Sequence, residues 1–262
     1  MPAGAPSTFV ISITPFTEGG ALDEDGLRGH LRRLAAAGIG VYLAGSGSGE
    51  GYTLSPAEVR RILEIGAEEL AGRVPVRAMG VEPRTAGEML ALARVVADVG
   101  LDAMQVYSLD QGHGNRPGDA EMERYYDDVL SACGVPVALS THQSVGYLIP
   151  VELIGRLLDR YPHVVGVHCS TNEIPYLARL IEVVDGRVDV HVGGPMHALT
   201  CLALGGQGYL SSDGNLTPGL RVAVNRRTRR ANASRHAGRS PAVHARITST
   251  HSPGVRLPSD DR

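Results

Sequence analysis

Three histidines, His113, His142 and His168, stand where short β-branched apolar runs give way to loops. Imidazole titrates near neutral pH, so each is a candidate general acid or base. If they converge, they could also bind Zn²⁺ or a similar ion, with Asp110 as a fourth ligand. No two of them are spaced i, i+2 or i, i+4, and a chain with ten histidines collects a few at any rim, so the metal-free role is preferred and no cofactor is expected. The run Gly45-Ser46-Gly47-Ser48-Gly49-Glu50 precedes a helix start and suits an anion. Glycines can adopt positive φ, which lets backbone N–H groups approach an anion closely. A plain connecting turn explains the same residues, and the spacing does not separate the two readings. Cys169 adjoins His168, but neighbouring strand residues face opposite ways, so a histidine pointing inward leaves the cysteine in the core. All 25 basic residues are arginine. The 262 residues contain no lysine, which excludes chemistry that needs a side-chain primary amine.

The elements that must position these groups alternate. Short apolar runs at Phe9–Phe16, Val41–Gly45, Val74–Gly80, Asp102–Tyr107, Val135–Thr141, Val164–Ser170, Val188–Gly193 and Gly208–Ser212 read as eight strands. Between them, amphipathic stretches near 22–36, 55–70, 85–98, 119–132, 150–160, 173–184 and 196–204 read as helices. Ser55-Pro56-Ala57-Glu58 combines an N-cap, a proline in the first turn and a capping-box glutamate. This order predicts an α/β protein, a (β/α)₈ TIM barrel, better than an open doubly wound sheet, since no G-x-G-x-x-G follows the first strand. An eighth helix is expected from Pro218, but its apolar stripe fails in the arginine run, so it reads as truncated or aberrant.

The strand ends carry a resemblance. Thr14-Pro15-Phe16 ends the first; Gly45 to Glu50 with Leu54-Ser55 follows the second; then come Asn115-Arg116-Pro117, Gly166-Val167, Gly193-Gly194 and Ser211 with Gly214-Asn215-Leu216-Thr217-Pro218. Over residues 9–224 the chain resembles the dihydrodipicolinate synthase / N-acetylneuraminate lyase family. The resemblance implies a barrel, usually a homotetramer, in which a lysine on the sixth strand forms a Schiff base with pyruvate or a related 2-keto acid and a tyrosine on the fifth strand shuttles protons. It implies substrate contacts at Ser46, Gly47, Ser48, Gly49, Glu50 and Leu210. The chemistry-bearing positions depart from the pattern: Gly166-Val167-His168-Cys169 puts His168 at the lysine, and Pro136-Val137-Ala138-Leu139-Ser140 puts Ser140 at the tyrosine. His168, Ser140 and His142 are therefore the candidate catalytic side chains. An iminium needs a nucleophilic amine, so the expected mechanism is acid/base chemistry without a covalent intermediate.

Composition limits the rest. With 43% hydrophobic residues the chain can bury a sizeable core, and no apolar run approaches the ~20 residues that span a bilayer. The N-terminus lacks the layout of a signal peptide, so a cytoplasmic location is expected. Cys133, Cys169 and Cys201 form no C-x-x-C and suggest no disulfide framework. Residues 1–220 carry 15 Arg against 26 Asp and Glu, whereas 221–262 carry 10 Arg against 2 Asp. The expected division is a barrel domain over 1–224 and a basic tail over 225–262. That tail, with Arg226-Arg227-Thr228-Arg229-Arg230, has no helical or strand period and reads as a disordered end more than as a nucleic-acid arm. Out-of-frame translation of a GC-rich gene would give the same composition. Two functions follow: a lyase or aldolase-like enzyme acting on a small 2-keto acid, or an inactive relic that binds a carboxylate or a partner. A homo-oligomer is expected if the C-terminus permits one.

Overall fold

A computed structural model describes residues 7–218. The elements run β1 (Ser7–Ile11), α1 (Glu24–Ala36), β2 (Gly40–Leu43), α2 (Pro56–Leu70), β3 (Val76–Ala78), α3 (Ala86–Val99), β4 (Ala103–Val106), α4 (Asp119–Ala132), β5 (Val137–His142), α5 (Val151–Arg160), β6 (Val164–Ser170), α6 (Ile174–Val184), β7 (Asp189–Gly193), α7 (Ala198–Leu204) and β8 (Gly208–Ser211). All eight strands pair in parallel, each with its sequence neighbours, and β8 returns to β1 to close the ring. This is the (β/α)₈ barrel that the alternation predicts. Of the expected eighth helix only Pro218 falls within the described residues; the rest of it, and the tail from 225, lie outside them.

Local sequence sets the element limits. The Ser55 hydroxyl accepts the Glu58 N–H at 3.3 Å while the Glu58 carboxylate accepts the Ser55 N–H at 2.8 Å, a reciprocal cap worth about 1 kcal/mol. The Asp23 carboxylate accepts the Gly26 N–H and the Thr85 hydroxyl the Glu88 N–H, one-way caps of α1 and α3. The first strand is displaced from the expected Phe9–Phe16. It stops at Ile11: the Ile13 N–H turns to the Asn215 side chain at 3.3 Å, and the chain then folds back so that Phe16 bridges Leu22 antiparallel. The third strand begins only after Pro75, which has no N–H to give a ladder, and covers three residues.

Two cores result. The larger lies between strands and helices and takes the outward-facing residues, among them Val41, Val106, Leu139 and Cys169. Cys169 is 1% exposed there beside Cys201, and burial pushes its thiol up to about 12, so it packs as core. Inside the barrel Phe9, Tyr42, Met79, Tyr107 and Leu210 form a second apolar cluster. Above this cluster the interior turns polar, and the barrel opens at the C-terminal ends of its strands.

Candidate active site

A cavity of about 360 Å³ occupies that opening. Its wall includes Ser46 and Gly47 after β2, Tyr52, Met79 and Glu82 after β3, Tyr107 and Asp110 after β4, His142 and Ser144 at the end of β5, and His168 and Ser170 on β6. Each comes from a strand end or the loop behind it, the position from which barrel loops present chemistry.

The loop after β2 is an amide nest. Gly47 has φ +79° and Glu50 has φ +54°, which turns the chain so that the Gly47 carbonyl accepts the Glu50 N–H at 2.9 Å. Among the described residues the N–H groups of Gly47, Ser48 and Gly49 have no hydrogen-bond partner, while those of Ser46, Glu50 and Gly51 are used within the loop and by Gly80. Three successive free amides suit an anion. Gly49 can only be glycine, since a Cβ there would meet the Gly45 backbone at 2.6 Å. The hydroxyls are spent elsewhere: Ser48 donates to the Ile11 carbonyl at 2.9 Å, and Ser46 lies 3.2 Å from the Tyr107 hydroxyl and 3.4 Å from Glu82. Ser46 and Gly47 face the cavity, Ser48 and Gly49 stand behind them, and the Glu50 residue is exposed outside it. Leu210 does not reach the cavity; it is 2% exposed within the interior apolar cluster.

His142 is the hub of the opposite wall. Its Nδ1 meets the Ser144 hydroxyl, and its Nε2 lies 3.3 Å from Glu82 Oε1, an ion-pair contact without the alignment of a hydrogen bond. Burial lowers the imidazole's pKa and the nearby Glu82 charge partly offsets this. The Glu82 side chain is only 7% exposed and also accepts from Tyr52, with Ser144 at 3.4 Å. The Tyr107 ring stands edge-on to His142 with centroids 5.2 Å apart.

His168 differs. It pairs in register with Ser140 on β5 and His191 on β7 and is 8% exposed. Neither ring nitrogen has a partner. Burial, with a smaller contribution from His142, pushes its pKa down to about 3, so it is neutral at physiological pH. Ser140 is fully buried below the cavity with its hydroxyl unpartnered, and its carbonyl accepts from Ser108. His113 sits exposed on the loop after β4 with φ +53° and does not join the cavity, so the three histidines do not converge. Among the described residues no group of three His, Cys, Asp or Glu could hold a metal ion.

Glu82, Tyr52, Tyr107 and Ser144 were not anticipated from the sequence. Glu82 had a signal, since it closes the segment Gly80-Val81-Glu82 just past the third strand, and strand ends are where such groups collect. Tyr52 and Ser144 had none, because loop conformation alone brings them in.

Fold and site together define a (β/α)₈ barrel that concentrates its polar, titratable groups at the C-terminal rim. The chain belongs to the dihydrodipicolinate synthetase family, whose model matches residues 6–253. The 4-hydroxy-tetrahydrodipicolinate synthase of Methanopyrus kandleri is 34% identical over 215 residues, which cover 81% of this chain and 70% of that protein. The enzyme of the same name from Methanospirillum hungatei is 33% identical over 214 residues, covering 80% of this chain and 72% of its own. Among solved structures, YagE of E. coli K12, a prophage protein of the dihydrodipicolinic acid synthase family in complex with pyruvate, matches with a TM-score of 0.80 and 26% identity over 89% of this chain and 78% of that one. No helix among the described residues is long and apolar enough to cross a membrane.

Proposed function

We propose that this protein is an aldolase-like lyase that binds a small 2-keto acid at the barrel mouth and activates it by acid/base chemistry without a Schiff base. The substrate carboxylate sits on the free amides of Gly47, Ser48 and Gly49. His168 stands where relatives of this type are expected to carry the amine. A neutral imidazole with an unspent N–H can polarise a keto oxygen by hydrogen bonding, which needs a depressed pKa rather than a free charge. His168 is accordingly a donor in this reading, not the proton acceptor. That role falls to His142 backed by Glu82, whose carboxylate stabilises the imidazolium formed when a proton leaves the carbon next to the carbonyl. Glu82 takes Nε2 and Ser144 stands on Nδ1, so the proton travels through Ser144: its hydroxyl accepts the carbon's proton as it passes its own to Nδ1, and Ser140, buried beneath, keeps only a supporting place. No cofactor enters the scheme.

The observation that carries the proposal is the placement of the partnerless His168 ring and the His142–Glu82 pair in one cavity, with the free amide of Gly47 at its wall and those of Ser48 and Gly49 directly behind it. The pyruvate seen with YagE and the synthase activity named for the archaeal relatives support a keto-acid ligand. The same reading extends to a cytoplasmic homo-oligomer with no membrane or nucleic-acid partner.

The test follows the methyl protons of pyruvate by NMR in D₂O. Exchange catalysed by the protein is expected, and Glu82→Gln should slow it by about 10²-fold, the scale of a lost general-base contribution. Borohydride treatment with pyruvate should leave the intact mass unchanged. A reduced pyruvyl adduct would overturn the proposal. Binding without any exchange would make the protein a carboxylate-binding relic instead.

A further inference from the structure

The cavity has room beyond the keto-acid end. At about 360 Å³ it falls within the range of small-molecule sites and exceeds what a three-carbon acid fills. The character of the remaining wall decides what else can enter.

That wall is acidic. Glu82 is nearly enclosed, and Asp110 lines the same space from the loop after β4. One Asp110 oxygen accepts the Gly112 N–H at 2.8 Å; among the described residues the other has no partner. Tyr52 and Ser144 bring hydroxyls that are already engaged with Glu82. Among the described residues no arginine lines the cavity, and the chain has no lysine to supply a cation. Both imidazoles on the wall have pKa values lowered by burial, so neither offsets the carboxylates at neutral pH. An anionic group pushed past the keto carbon would therefore meet two carboxylates in a partly desolvated space with only neutral donors to compensate, an arrangement that rejects like charge strongly. A hydrogen-bond donor would meet the Asp110 oxygen that lacks one.

We infer that the substrate is a 2-keto acid whose second polar group is an uncharged or cationic hydrogen-bond donor, a hydroxyl or an ammonium, and that keto acids bearing a second carboxylate are excluded by Glu82 and Asp110. This rests on the keto-acid reading above and adds the identity of the distal group to it.

Equilibrium titration of the full chain separates the possibilities. Pyruvate and 2-oxobutyrate serve as references, 4-hydroxy-2-oxobutyrate as the hydroxyl arm, an ω-amino 2-keto acid as the ammonium arm, and oxaloacetate and 2-oxoglutarate as dicarboxylates. Dicarboxylates should bind at least ~30-fold more weakly than pyruvate, and at least one donor arm about tenfold more tightly than 2-oxobutyrate. Asp110→Asn should narrow the pyruvate-to-dicarboxylate gap by about tenfold while leaving pyruvate itself within threefold. Dicarboxylates that bind as well as pyruvate, or a gap that Asp110→Asn does not change, overturn the inference alone. Failure of every keto acid to bind, pyruvate included, overturns the keto-acid reading and this inference together.

Discussion

His168 and His142 share a wall of the cavity, yet burial governs them to different degrees. The His168 ring is enclosed with both nitrogens bare, while His142 keeps a hydroxyl on one side and a carboxylate on the other. The depressed pKa of His168 has a consequence for stability. Its folded value of about 3 lies below the ordinary 6.5, so between the two the unfolded chain binds the proton and the folded chain does not. Stability from this group is complete above pH 6.5 and falls as pH drops through the window toward 3. At pH 5 the loss is on the order of 2 kcal/mol, and His142 adds to it in the same direction. Denaturant titrations at pH 7 and pH 5 should show this drop, and His168→Asn should flatten it; an equal drop in the variant would remove His168 as the source. His142 and His168 were legible in the sequence because each lies in the last residues of a strand, where alternation fixes the inward face. Glu82 was within reach of the same rule. Tyr52, by contrast, arrives through a loop whose course depends on positive-φ positions such as Gly47 and Glu50, and no residue spacing encodes that.

The elements were the most readable level, since period, caps and prolines act locally. All seven helices within 7–218 and all eight strands fall on their expected segments; the late start of β3 traces to Pro75, and the early end of β1 to the turn of Ile13 toward Asn215. What the pattern could not convey is the internal geometry of the loop between β2 and α2. The sequence offered the loop's backbone N–H groups to an anion without saying which are free; the Ser46 and Ser48 hydroxyls are committed to neighbours, and the free donors are the amides of Gly47, Ser48 and Gly49. Gly49 is the residue that permits this arrangement. Adding a methyl group there sets it 2.6 Å from the Gly45 nitrogen and 2.7 Å from the Gly45 oxygen, both backbone atoms that cannot step aside cheaply. Gly49→Ala should therefore open the loop, weaken pyruvate binding by at least tenfold and cost about 1–3 kcal/mol of stability. Gly47→Ala probes the same loop differently. Nothing lies within 4 Å of its added methyl, but φ is +79°, so strain alone operates and the cost should be near 1 kcal/mol. Calorimetric binding and melting of both variants would tell steric from conformational loss.

At the scale of the whole molecule two features hold the ring together, and they differ in weight. Arginine–carboxylate pairs stitch neighbouring helices at the surface: Arg61 with Glu24 joins α2 to α1, Arg60 with Asp98 joins α2 to α3, and Arg160 with Asp127 joins α5 to α4. Most of these side chains are a third or more exposed, so they set helix order more than they add stability. The barrel interior matters more. Its lower layer includes small residues: Gly40 pairs with Phe9, Ala103 with Arg77, and Ala138 with Gly166. Arg77 occupies the space they leave: its guanidinium lies 4.5 Å over the Phe9 ring and donates to the Tyr42 hydroxyl at 3.1 Å, while its Nε is buried without a partner. Gly40 is small because a Cβ would meet the Phe9 ring at 2.5 Å. A cation held by aromatic faces and one hydroxyl, with an orphan donor, gains little over an apolar chain of the same length, because desolvation offsets most of the attraction. Arg77→Met should thus leave unfolding free energy within about 1 kcal/mol of the parent. Phe9→Ala should lose about 3–5 kcal/mol, since it empties the centre of a closed ring whose walls cannot move in. Equal losses in the two variants would show instead that the Arg77 charge, rather than packing around Phe9, sustains the barrel interior.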